Sequence, residues 1–171
     1  MSTIPWHPIV VHFPLALVSI AAILLVAARL WRGDAFAANL AIVGTWNLCL
    51  GAAAAVFALA TGLAAVLDLD VGAEVHQAIS LHTKWAMLTT LLLVLLAVWR
   101  GAGAAQSSRP SWIFLVVMMA AAAALIVTGY RGGENVYTYG VGVKKIAARP
   151  VEAPRGGQEL QKSYCAGIVP V

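Results

Sequence analysis

Four apolar stretches, each long enough to cross a bilayer, constrain this chain more than any other feature. The first runs from Ile9 to Leu30 and meets no charge before Arg29. The second runs from Phe36 to Leu67, the third from Ala78 to Trp99 with Lys84 as its one charge, and the fourth from Trp112 to Gly129. A helix rises about 1.5 Å per residue, so about 20 apolar residues cross a hydrocarbon core of roughly 30 Å. Within that core every backbone N–H and C=O has to be paired inside the chain, which a helix does by itself. The expected fold is all-α: an integral membrane four-helix bundle with an irregular C-terminal tail. The second stretch is longer than a span needs and is expected to tilt or protrude.

Composition excludes the soluble alternatives. The chain is 61% apolar and 11% charged, where soluble domains average about 45–50% and about 25%. A water-soluble enzyme, a disordered regulator and a secreted disulfide scaffold do not fit. The two cysteines, Cys49 and Cys165, form no CxxC, CxxCH or zinc-ribbon spacing, which leaves no place for covalent haem c or a ferredoxin-type cluster. The net charge of +4 reads as loop charge that orients the chain, and no nucleic-acid partner is expected. Met1 to Phe13 holds no Lys or Arg, so the first stretch is expected to be a span and not a cleaved leader. Residues 1–143 are expected to form one four-span domain, with helices at about 9–30, 36–67, 78–99 and 112–129 and a re-entrant outer segment after them. Residues 144–171 are expected to form an extended tail that docks a partner.

Loop charge sets the expected orientation. Arg29 and Arg32 lie between the first two stretches, and Arg100 and Arg109 between the last two. The opposite side carries Asp68, Asp70 and Glu74. The positive-inside rule then puts the Arg loops in the cytoplasm and both termini outside a bacterial inner membrane. The basic residues Arg131, Lys144, Lys145, Arg149, Arg155 and Lys162 after the last span run against this orientation.

All four histidines fall on one side of the membrane. His7 and His12 sit at the mouth of the first span, and His76 and His82 at the mouth of the third, which runs in the same direction. His12 and His82 lie at matching depth, roughly 5 Å inside their apolar stretches. Ionisable groups at such depth are costly and point to function. These two are the expected principal ligands, with His7 and His76 as a second pair or as supporting contacts. The alternative for the surface pair is a plain interfacial anchor. No carboxylate joins the histidines within the apolar stretches, against a di-iron site. Copper would want Cys or Met nearby, and Cys49, Met118 and Met119 lie at other depths. A planar cofactor with axial imidazoles, haem b, fits an apolar bundle better. Lys84 and Arg131 flank the same layer and could pair with haem propionates or snorkel to headgroups. Tyr137 and Tyr139, alternating in a glycine-rich segment, are expected to face one side of an extended strand folded over the bundle mouth. Gly44, Gly51 and Ala52–Ala55 suit close helix packing.

The opening Trp6-His7-Pro8-Ile9-Val10-Val11-His12-Phe13-Pro14, the pair His76 and His82, and the closing Gly132-Gly133-Glu134-Asn135-Val136-Tyr137-Thr138-Tyr139-Gly140-Val141-Gly142-Val143 resemble the bacterial membrane family called domain of unknown function 2231. The resemblance covers about Ile4 to Val143. It implies a four-helix bundle with its His motifs at one membrane face, and an association of relatives with cytochrome-type, outward-facing redox domains. It brings no established activity. The expected function is a membrane haem b electron-transfer protein, with one haem or two, passing electrons to or from a periplasmic or membrane redox partner. It reads as an electron-transfer subunit more than a stand-alone enzyme. The alternative is a non-catalytic membrane subunit whose histidines bind copper or zinc or are structural.

Overall fold

A computed structural model of the chain describes residues 6–67, 71–101 and 108–143. In order they form α1 (Trp6–Val10), α2 (His12–Leu30), α3 (Asp34–Val66), α4 (Ala73–Gly101) and α5 (Trp112–Tyr137), with no strand among the described residues. Four helical spans are long and apolar enough to cross a membrane: Trp6–Leu30, which joins α1 and α2, then Asp34–Val66, Ala73–Gly101 and Trp112–Tyr137. The protein is thus an all-α integral membrane bundle. The chain divides into two compact units, Met1–Val141 and Gly142–Val171; the expected docking tail from residue 144 lies outside the described residues.

Sequence explains the break between α1 and α2. Pro14 has no N–H to give to the carbonyl of Val10, and its ring crowds that carbonyl. The helical ladder lapses at Val11, although the Val11 N–H still reaches the His7 carbonyl at 3.1 Å. This interruption makes α1 a separate short helix, packed on α3 as well as on α2.

The long helices pack in a ring, α2 on α3, α3 on α4, α4 on α5 and α5 back on α2. Val18, Leu25, Leu48, Leu93, Leu96 and Met118 fill the core. The outward faces carry Ile23, Phe57, Leu91, Ile113 and Ile126, all exposed, as expected of residues meant for hydrocarbon. The tightest seam is α2 on α3. A Cβ placed on Gly44 would come within 2.9 Å of Leu25 Cγ, and one on Gly51 within 2.8 Å of Val18 Cγ2. These glycines lie on one face of α3, so the expected close packing is realised.

At the end bearing the α2–α3 connection, Arg109 pairs with Asp34 at 2.8 Å and also reaches the Arg32 carbonyl at 3.5 Å. Arg29 stacks over the Trp112 ring with its guanidinium carbon 5.0 Å from the centroid. Arg100, only 4% exposed, donates to Thr45 Oγ1 at 3.3 Å and to the carbonyl of Ser108. Ser111 caps α5 by accepting the Phe114 N–H at 3.2 Å.

At the other end the structure departs from the expected boundaries. α4 begins at Ala73, with Glu74 in its first turn, where the positive helix end favours a carboxylate. The expected re-entrant strand after Gly129 is not formed as far as Tyr137, because α5 continues through Arg131-Gly132-Gly133 to that residue. An Arg131–Glu134 pair at 3.0 Å one turn apart supports this extension. It ends where Gly140 adopts φ +66° and turns the chain so that the Val141 N–H reaches the Asn135 carbonyl at 2.9 Å.

Replacing Gly51 by Ala is expected to lower the stability of the purified protein by about 1–3 kcal/mol, the usual penalty for overpacking a filled contact. Gly72 has nothing within 4 Å of a Cβ, so Gly72→Ala should leave the unfolding transition in detergent unchanged.

Candidate functional site

Two histidines are drawn into the bundle, and they are held in the same way. His7, half-buried on α1, places Nδ1 3.0 Å from the carbonyl oxygen of Ala58 on α3. Thr61 Oγ1 lies 3.4 Å from the same nitrogen while donating its own proton to Ala58 at 2.9 Å. His82, half-buried on α4, places Nδ1 3.1 Å from the carbonyl oxygen of Thr128 on α5. That carbonyl's residue is fixed in turn, since Thr128 Oγ1 donates to Ala124 at 2.8 Å and lies 3.0 Å from Thr89 Oγ1.

Both rings bring their Nδ1–Cε1 edge up to a glycine. A Cβ on Gly62 would be 2.9 Å from His7 Cε1, and one on Gly132 would be 3.1 Å from His82 Cε1. In each case the glycine follows the accepting residue by four positions, one helical turn further along α3 or α5. A methyl group there would push the ring away and lengthen the hydrogen bond.

This geometry fixes the tautomer. A carbonyl oxygen only accepts, so the proton of each neutral ring sits on Nδ1, and Nε2 keeps its lone pair. A donor bond from one ring nitrogen to a backbone carbonyl is the usual way in which a metal-binding imidazole is oriented.

The pairing differs from the one that depth along the sequence suggests. His12 is exposed on α2, as is His76 on α4, so His7 and not His12 is the inward partner of His82. Among the described residues no group of three or more His, Cys, Asp or Glu side chains comes together. Cys49 lies against Ala97 and Gly101, toward the opposite end of the bundle, and Met118 is in the core. Of the residues expected around the cofactor, Lys84 is exposed and Arg131 is half-buried and bound to Glu134. Tyr137, the last residue of α5, is 91% exposed, and Tyr139 is half-buried beyond it. The two tyrosines therefore do not alternate along an extended strand. Lys144 and Lys145 of the basic tail lie outside the described residues. The residues that reasoning missed are Ala58, Thr61, Gly62, Thr128 and Gly132; the one signal they leave is a glycine four positions after a residue near the end of a span.

A family model described as "Predicted membrane protein (DUF2231)" matches residues 3–145. No curated protein and no solved structure matches the chain.

The tautomers can be read directly. In ¹⁵N spectra of the apoprotein with labelled histidine, at a pH where the rings are neutral, His7 and His82 are expected to show Nδ1–H and unprotonated Nε2. The exposed His12 and His76 should show water-averaged mixtures. Nε2–H signals at His7 and His82 would mean that the carbonyl bonds are not formed.

Proposed function

We propose, on the premise that the chain belongs to the DUF2231 family of predicted membrane proteins, that it is a haem b electron-transfer protein. In this reading it lies in a bacterial inner membrane, and its histidine end faces outward. The observation that carries the proposal is the pair of half-buried imidazoles, His7 and His82, each donating Nδ1–H to a backbone carbonyl of the neighbouring helix and each keeping Nε2 free.

Ligand number favours haem over a bare ion. Structural zinc takes four protein ligands and catalytic zinc three, and two imidazoles without a third His, Cys, Asp or Glu among the described residues do not supply them. An iron already held in its macrocycle plane needs only axial ligands, which two imidazoles provide. When bound, the haem supplies a one-electron ferric–ferrous couple. The chain's own contribution would be to orient two neutral rings that hold the haem and to keep water away with an apolar bundle. With both imidazoles committed to holding it, the site would suit electron transfer to a periplasmic or membrane redox partner more than catalysis.

A second reading draws on the same bonds. Each imidazole ties two helices together, α1 to α3 and α4 to α5, so the histidines could serve the bundle alone, in a non-catalytic subunit.

The absorption spectrum of the purified full chain, with metal analysis, separates the two. A Soret band and sharp α and β bands on reduction are expected. His7→Ala and His82→Ala should each lose the low-spin spectrum, while His12→Ala and His76→Ala keep it. A folded chain that binds no haem supports the structural reading. For orientation, a reporter that fluoresces only in the cytoplasm, fused after Val171, is expected to stay dark.

A further inference from the structure

We propose that the bundle is one helical hairpin used twice, and that the two equivalent imidazoles, His7 of one half and His82 of the other, would together hold a single haem. This rests on the haem reading above and adds the number of haems.

The correspondence is visible in the buried positions. On α2 these include Pro14, Val18, Ala21 and Leu25. On α4 the positions 75 residues later, Thr89, Leu93, Leu96 and Arg100, are buried too. On α3 they include Gly44, Thr45, Leu48, Gly51 and Ala55. On α5 the positions 70 residues later, Phe114, Leu115, Met118, Ala121 and Leu125, are again buried. The second hairpin thus repeats the register of the first, with equivalent positions on its two helices five residues closer along the chain, the difference between those two offsets.

The histidine cradles obey the same two offsets. His82 follows His7 by 75 residues, as α4 follows α2. Thr128 follows Ala58 by 70 and Gly132 follows Gly62 by 70, as α5 follows α3. Donor, acceptor and packing glycine are therefore equivalent in the two halves. Side-chain identities at the matching core positions differ, so the repeat lies in register and geometry.

Packing around the ring agrees. Exchanging the halves sends α2 to α4 and α3 to α5, so the α3–α4 seam maps onto the α5–α2 seam, and both exist. Corresponding helices run in the same direction, so the relating axis lies along the bundle, parallel to the membrane normal. Parallel repeats about such an axis are a known way to build membrane bundles.

One histidine per half obeys the repeat. The position 75 residues after His12 is Met87, and the position 75 before His76 is Met1; His12 and His76 are exposed. The repeat therefore supplies two equivalent imidazoles and one centre. A single haem would then be held by one imidazole from each hairpin.

The test is haem stoichiometry and symmetry on the full chain loaded with haemin. The pyridine haemochrome assay should give one haem per chain. His7→Gly and His82→Gly should each abolish the six-coordinate low-spin spectrum, and external imidazole should restore it in both. His7→Met and His82→Met, which retain a ligand and need less rearrangement to fold, should each give a His/Met spectrum with potentials raised alike. Gly62→Ala and Gly132→Ala should weaken haem affinity by similar factors, about tenfold or more. Two haems per chain, or a low-spin spectrum that survives loss of either His7 or His82, overturns the shared centre and leaves haem binding intact. A folded chain that takes up no haem overturns the haem reading and the shared centre with it.

Discussion

Helices in hydrocarbon gain nothing by hiding apolar side chains from one another, because lipid tails are just as apolar. Their association rests on close contact and on polar groups that have no better partner. This bundle depends on that constraint throughout. Its closest seam is made where α3 offers Gly44 and Gly51 to Leu25 and Val18 of α2, so that dispersion contacts replace the missing hydrophobic drive. The His7 cradle is registered by this seam, because it sets the height of α3 against α2 and so brings Ala58 and Gly62 level with His7.

The same economy of space places the polar groups. An imidazole at the edge of hydrocarbon needs a hydrogen-bond partner, and the helix backbone has carbonyls to share only where a neighbouring ring comes close. Gly62 and Gly132 make that approach possible, and the Ala58 and Thr128 carbonyls take the Nδ1 protons. Packing and chemistry are then one feature. The absence of a side chain on α3 and α5 brings the ring in, and the ring's bond to the carbonyl decides which nitrogen keeps its lone pair.

The opposite end uses charge in place of small residues. Arg100 is buried against Thr45 and Ser108, and Arg109 ties the α2–α3 connection through Asp34. These contacts hold the ends of α3, α4 and α5 where aromatic residues such as Trp31, Trp99 and Trp112 are exposed, the usual setting of an interfacial belt. The two ends of the bundle thus divide the work, one end anchored by guanidinium groups, the other holding the histidine pair.

Sequence by itself determined the four spans, the all-α fold, the gathering of histidines at one end and the family. Span length and direction depend on hydrocarbon thickness and on the fixed rise of a helix, and both can be counted along the chain. What only the tertiary structure decided is which histidines face inward. The spans are apolar nearly all round, so no polar stripe marks the inner face of α2 or α4, and depth carries no information about direction around the axis. His7 and His12 are five residues apart, which puts them about 140° apart around a helix, and it is His7 that meets α3 while His12 is exposed. The repeated hairpin was equally hidden. Many apolar side chains satisfy the same buried position in a membrane, and the repeat survives in register, in two glycines and in two carbonyls that belong to unrelated side chains.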